Sequence, residues 1–206
     1  MTFGCLIFPE VEELDFVGPW EIAGTWGKFF GGPADRLVVA ETAAPIQCAN
    51  GLSVNPHVTF ASCPPLDYLL VPGGHGSRRQ VDNPIFIDFI RRQAAGCKAV
   101  LSVCTGSFLL QRAGLLDGKS ATTHWGELPK LRALPGLTVR EERFVRNGTI
   151  WTGAGVSAGI DLMLAFIAAE AGEDVAGEVQ FFAEYYPAAT RYGRAHLNEK
   201  APGYLK

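Results

Sequence analysis

No stretch of this chain stays apolar for long enough to cross a bilayer. The most apolar late segment, Val156 to Ala169, is interrupted by Asp161 and falls short of the ~20 residues a span requires. No Cys-x-x-Cys pair occurs among the cysteines at 5, 48, 63, 97 and 104, an odd set suited to neither a disulfide framework nor a zinc knot. They read as reduced thiols, one of them special. No basic face is present to meet phosphate backbones: 18 Lys and Arg stand against 21 Asp and Glu, scattered except for Arg78-Arg79 and Arg91-Arg92, which argues against nucleic acid as a partner. Met1 to Pro9 shows neither a basic n-region nor a small-residue cleavage site, so a secretory signal is not expected and the cytoplasm is the expected compartment. Internal repeats, low-complexity segments and linkers are also lacking. With neither a phosphate loop nor a metal-ligand set, no cofactor and no metal are expected.

What is present is a 206-residue chain, 48% hydrophobic and 19% charged, able to bury one sizeable core. It reads as a single domain over 1–206, with a polar, turn-rich tail from Pro187 that is extended or wraps the surface. Along it, short apolar runs alternate with helical patterns. Strands are expected at Phe3 to Phe8, Arg36 to Ala40, Asp67 to Val71 and Lys98 to Val103, and near Leu137 to Val139, Arg143 to Val145 and Thr149 to Trp151. Helices are expected at Phe16 to Phe30, Pro84 to Ala95 (with Asn83 as its cap), Thr105 to Ala113, Val156 to Ala171 and Asp174 to Tyr185. The Gly, Asn and Pro residues between Pro45 and Phe60 suggest a small hairpin. Such alternation predicts an α/β fold with a mainly parallel sheet covered on both faces, whose reactive crevice lies at the carboxyl ends of the strands.

The most informative stretch is Val100 to Leu110, where an apolar strand stops at Cys104 and a helical pattern starts one residue later. A nucleophile on a sharp strand-to-helix turn projects clear of the sheet, and the amides opening the helix favour an anion beside it. Those amides are expected to lower the thiol pKa. Small residues must flank such a turn, and Ser102 and Gly106 do. The competing reading is a buried structural cysteine.

Four further features reach the same rim. Asp15 sits where a helix N-cap would be, which is reason enough for an Asp, but a carboxylate beside a thiol can also hold or relay its proton. Gly73-Gly74-His75-Gly76 would let backbone amides approach a developing negative charge, or is a plain tight turn; His75 is a proton donor or a surface loop residue. His124, after Ala121-Thr122-Thr123, is expected at the same rim. Gly153 to Ala158 matches a dinucleotide-binding pattern, but too little chain follows it for a βαβ unit, so close helix packing is the better reading. Trp20, Phe108, Trp125, Phe181 and Phe182 are read as lining an apolar pocket, or as core or interface.

Cys104, Asp15 in Leu-Asp-Phe-Val-Gly-Pro-Trp-Glu, Val71-Pro72-Gly73-Gly74, Ala121-Thr122-Thr123-His124-Trp125 and Thr152 to Asp161 together resemble the ThiJ/PfpI superfamily, from about Phe3 to Tyr186. The resemblance implies a flavodoxin-like three-layer sandwich with a cysteine nucleophile elbow, an acidic partner at Asp15 and a homodimer. Peptidase-like members place histidine directly after the nucleophile, whereas Thr105 stands here, which weakens a peptidase reading. Cys-Thr-Gly-Ser with the Leu-Asp and Thr-Thr-His-Trp segments is most similar to the isocyanide hydratase branch, whose members add water to an isonitrile to give an N-substituted formamide. That implies Cys104 as nucleophile, Asp15 as acid and base, Thr105 as an orienting group, and Gly74, His75 and His124 as oxyanion- or substrate-binding residues. The same segments occur in sensing domains of AraC-like regulators, usually fused to a helix-turn-helix module for which no room is expected here. A glyoxalase-like or other cysteine hydrolase, and a ligand- or redox-sensing domain, stand as alternatives.

Overall fold

The computed structural model describes residues 1–187 and 191–205. The chain opens with β1 (Thr2–Leu6), α1 (Glu13–Phe29) and β2 (Asp35–Ala40). A small antiparallel hairpin, β3 (Ile46–Gln47) and β4 (Ser53–Val54), precedes β5 (Val58–Thr59) and β6 (Tyr68–Val71). Then come α2 (Ser77–Gln80), α3 (Pro84–Ala94), β7 (Ala99–Val103) and α4 (Gly106–Arg112). β8 (Ser120–Ala121), α5 (Leu128–Arg132) and β9 (Thr138–Val139) lead to β10 (Phe144–Asn147), β11 (Ile150–Gly153), α6 (Ala158–Ala171) and α7 (Glu173–Phe182).

Seven strands form one sheet in the order β10-β11-β7-β6-β1-β2-β5, parallel throughout except where β10 meets β11. This is the mainly parallel, helix-flanked α/β architecture the alternation predicts. After β1 the chain moves outward to β2, then crosses back to place β6 on the other side of β1. The connections leaving the carboxyl ends of β1 and β6 therefore run to opposite sides, which opens a crevice between them. Every residue of β6 and β7 is buried, as strands covered on both faces require, and this accounts for a composition that is apolar throughout but for Ser102.

Two aromatic clusters tie the helices to the sheet. Phe166 of α6 meets Trp26, Tyr68 and Trp151, while Phe60 stacks on Phe89 at 4.1 Å and meets Phe86 edge-on. Each buried phenyl ring is worth roughly 1.5–3 kcal/mol in removed apolar surface. The start of α3 follows its sequence signal: Asn83 Oδ1 accepts from the amides of Ile85 (3.1 Å) and Phe86 (3.4 Å), with Pro84 at the first helical position. Among the described residues no helix is long and apolar enough to cross a membrane.

Two expectations change. The first helix begins at Glu13, so Asp15 lies inside its first turn and is not the cap; the extended residue before the helix is Glu12, with no side-chain cap bond. The reason is tertiary, since the Asp15 carboxylate is drawn across to the loop after β6. Phe181 and Phe182 stand exposed on α7, Phe182 against Phe29 at the far end of α1 from the strand carboxyl ends, and Trp20 packs beside His57 and Arg36. None of these three lines the crevice. The tail, expected to be extended or to wrap the surface, forms turns at Ala195–Leu197 and Gly203–Leu205 that pack back on the body; residues 188–190 and 206 lie outside the described residues.

Gly106 shows how tightly the crevice is built. A Cβ there would overlap the carbonyl oxygen of Val71 and crowd that of Pro72. Gly106→Ala is expected to destabilise the protein by about 1–3 kcal/mol, read as a lowered urea midpoint, because the helix start must back away from the sheet.

Candidate active site

Cys104 is the single residue between the end of β7 and Thr105, and its φ of 57° lies in the left-handed region. A residue with a side chain is held there at a cost of order 1–3 kcal/mol unless its surroundings enforce it. Here they do. Its amide donates to the carbonyl oxygens of Ala154 (2.8 Å) and Gly153 (3.2 Å), and its carbonyl accepts from Thr123 Oγ1 (2.8 Å) and Ser107 Oγ (3.2 Å). Strand end, helix start, the Thr122-Thr123 segment and the Gly153 loop thus all clamp one residue.

Asp15 is fully buried beside it. Its Oδ2 accepts from the Gly73 amide at 2.8 Å, while Oδ1 is buried without a hydrogen-bond partner. Burial pushes the Asp15 carboxyl well above the ordinary carboxylate range, and the Gly73 amide, the Cys104 thiol and the Val156 amide oppose this only partly. The Cys104 thiol is also pushed up, first by burial and then by the Asp15 charge; the Thr105 amide, the Val156 amide and the Thr105 hydroxyl pull the other way. The helix-start amides therefore act in the direction expected from sequence but lose to desolvation and to the neighbouring carboxylate, so a lowered thiol pKa is overturned for the resting site. Both groups are held toward their protonated forms in the resting site, and the thiolate forms when an ionised Asp15 takes the thiol's proton.

Thr105 is fixed by its hydroxyl. Oγ1 accepts from the Gly74 amide (3.0 Å) and from Ser77 Oγ (2.9 Å). Gly74 lines the cavity in front of the thiol, but this bond uses up its amide, as Asp15 uses up that of Gly73. The Gly-rich loop thus positions the acid and the threonine and does not supply the oxyanion donor expected of Gly74. Gly73 has to be glycine for that: a Cβ would stand 2.5 Å from the Thr105 amide and 3.0 Å from the Asp15 carboxylate. The amides that do stabilise charge on the sulfur are those of Thr105 and Val156.

Val156, with φ 47°, and Ser77 were not legible as site residues. The one signal for Val156 was its place in Gly153-Ala154-Gly155-Val156-Ser157-Ala158, a turn whose glycines bring backbone close to the cysteine.

The cavity over the thiol holds about 210 Å³ and is lined by Cys104, Thr105, Val156 and His124 among others, with the Arg78–Glu127 ion pair (2.9 Å) at its edge. His124 Nδ1 accepts from the Gly126 amide at 3.2 Å, its ring lies against Gly155, and burial lowers its pKa. The imidazole is thereby held toward its neutral form at the wall of the cavity. His75 also borders the cavity, exposed, with Nδ1 3.2 Å from Arg78 Nη1. All five cysteines are free, and among the described residues no group of three or more His, Cys, Asp or Glu is placed to hold a metal ion.

Such a site offers a thiol nucleophile, one carboxyl group to exchange its proton, and two amides for transient charge. The model of the DJ-1/PfpI family matches residues 4–169. The chain is 41% identical over 188 residues to an isonitrile hydratase of Pseudomonas putida, covering 91% of this chain and 80% of that protein. It is 32% identical over 178 residues to the HTH-type transcriptional regulator CdhR of Pseudomonas aeruginosa, covering 86% of this chain but only 53% of the regulator. Among solved structures, a ThiJ/PfpI family protein from Pseudomonas syringae superposes with a TM-score of 0.87 at 32% identity, covering 99% of this chain and 82% of that one.

Proposed function

The chain belongs to the DJ-1/PfpI family, and from that premise we propose that it is an isonitrile hydratase, an enzyme that converts an isonitrile and water into an N-substituted formamide. The observation that carries this reading, beside the likeness to the hydratase, is the buried Asp15–Cys104 pair with threonine in place of a histidine after the thiol. A site able to move one proton at a time suits an addition in which nothing leaves during the first step. An acyl transfer would need the group that takes the thiol proton to deliver it to a leaving amine, the work of the histidine that follows the thiol in the peptidase-like pattern and is absent here.

The proposed sequence starts from the ionised form of Asp15, to which the Cys104 proton passes. The thiolate forms a carbon–sulfur bond to the terminal isonitrile carbon, and Asp15 returns the proton to that carbon, leaving a thioimidate, R–N=CH–S. Water then adds across the carbon–nitrogen double bond; Asp15 accepts its proton and relays it to the nitrogen through water. Collapse of the tetrahedral adduct breaks the carbon–sulfur bond, the hydroxyl proton goes to Asp15, and from there back to sulfur. The product is R–NH–CHO and the enzyme is restored. The Thr105 and Val156 amides hold the sulfur charge at both ends of the cycle, and Thr105, pinned by Gly74 and Ser77, orients the sulfur.

A single-domain homodimer in the cytoplasm belongs to the same proposal. Its support is the five free thiols and the exposed Leu14, Val17, Phe29, Phe181 and Phe182 on α1 and α7, which give a second copy an apolar face to cover.

The test is to incubate the protein with a simple aryl isocyanide and detect the N-aryl formamide by mass spectrometry. Formamide above the buffer rate, with a quenched adduct on the Cys104 peptide equal in mass to the isonitrile, is the expected result. No product over background would overturn the reading and make methylglyoxal turnover the next assay.

A further inference from the structure

A second cavity, about 720 Å³, lies between Trp125 and the C-terminal segment, walled by Ala195, Leu197, Ala201 and Leu205 among others. It adjoins the thiol's cavity across one chain step: His124 lines the smaller space, Trp125 the larger, and their rings are 5.7 Å apart. The segment that closes it is more committed than a fraying tail. Pro202 is buried, and the Tyr204 hydroxyl oxygen is shut away from solvent with no hydrogen-bond partner. A buried polar atom without a partner is costly to keep, and this segment holds two, His196 Nδ1 in the cavity wall and the Tyr204 hydroxyl, a group awaiting an acceptor. It stands near enough to Cys104, Arg143 and Glu141 to feel their charges. Arg143 in turn holds Ser157 (2.9 Å) and Asp161 (2.7 Å) at the head of α6, beside Val156.

We propose that residues 194–205 form a strap completing the substrate chamber, in which the larger cavity receives the organic substituent of the isonitrile and Tyr204 donates a hydrogen bond to its nitrogen. This rests on the hydratase reading. An isonitrile is linear, so once its carbon meets the sulfur its substituent must project away from Asp15, toward the outer wall. Asp15 is on the buried side of the sulfur and serves the carbon; Tyr204 on the outer side meets the nitrogen and polarises the carbon–nitrogen bond for attack by water. A space whose wall is mainly apolar, an indole, two leucines and two alanines beside Arg194, His196 and Asn198, favours an aryl or bulky alkyl substituent over methyl.

The experiment compares Leu205→Ala and Tyr204→Phe with the wild type, using methyl isocyanide and phenyl isocyanide. Leu205→Ala is expected to lower kcat/KM for the phenyl substrate ~10-fold, mainly through KM, with less than ~2-fold change for methyl, as loss of a few methylenes from a pocket does. Tyr204→Phe is expected to lower kcat for both ~10-fold with KM little changed. A second readout needs no turnover: the rate at which N-phenylmaleimide and iodoacetamide alkylate Cys104. Leu205→Ala and Tyr204→Ala are expected to speed the maleimide several-fold more than the smaller reagent, with unchanged urea midpoints showing an intact fold. An unaltered phenyl-to-methyl ratio together with wild-type alkylation rates would overturn the strap. A wild type that makes no formamide overturns the hydratase reading instead, and the alkylation rates then still decide whether the strap covers the thiol.

Discussion

Cys104→Ala protein is expected to lose formamide production by at least ~1000-fold, with no isonitrile adduct at any quench time, because the covalent route splits one difficult hydration into two easier steps. The substitution is a clean probe of chemistry. Alanine and cysteine both carry a Cβ and bear the same left-handed strain at φ 57°, and the four hydrogen bonds that enforce that geometry are all to backbone groups of residue 104. The elbow should therefore persist, and an unfolding midpoint close to wild type would show it. What disappears is the sulfur and, with it, the partner of the buried Asp15. Asp15 could still orient a water molecule toward the isonitrile, so residual turnover measures direct hydration; a rate within ~10-fold of wild type would rule out the thioimidate and recast Cys104 as a packing residue.

The nucleophile was legible because its signals are local. An apolar run ending at Cys104, a helical pattern beginning at once and small flanking residues are all contained in Val100 to Leu110. The α3 cap and the β3–β4 hairpin were legible for the same reason. Asp15 was ambiguous because its partner Gly73 is 58 residues away in sequence; on local grounds an Asp near a helix start is a cap, and only the crossing from β1 to β6 beside it reveals otherwise. Val156 and Ser77 act through a backbone amide and through another hydroxyl, and neither contribution depends on a residue type that sequence marks as reactive. The direction of the Cys104 shift was misjudged because helix-start amides are visible in sequence while depth of burial is not. Composition also hid the strap, since a polar, turn-rich segment gives no hint that Pro202 and the Tyr204 hydroxyl are buried.

Asp15→Asn is expected to lower kcat by ~100- to 10,000-fold, the range typical of removing a positioned acid–base group, and at the same time to stabilise the fold near neutral pH. The two effects have one origin. Burial raises the carboxyl pKa in the native state, whereas the unfolded chain has an ordinary Asp of about 3.9. Between those values the native protein binds a proton that the unfolded chain does not, so wild-type stability falls as pH rises through that window. Below about pH 4 both states are protonated and the penalty vanishes. Asparagine keeps an oxygen to accept from the Gly73 amide and has no proton to lose, so the variant should lack the slope. Urea midpoints of the two proteins should nearly coincide at the acid end and separate toward neutral pH, the variant being the more stable. Equal stability at all pH values would mean that Asp15 is not held against its charge in the native state. Retained turnover would confine it to packing the loop after β6, because an amide can hold that loop but cannot take the thiol's proton.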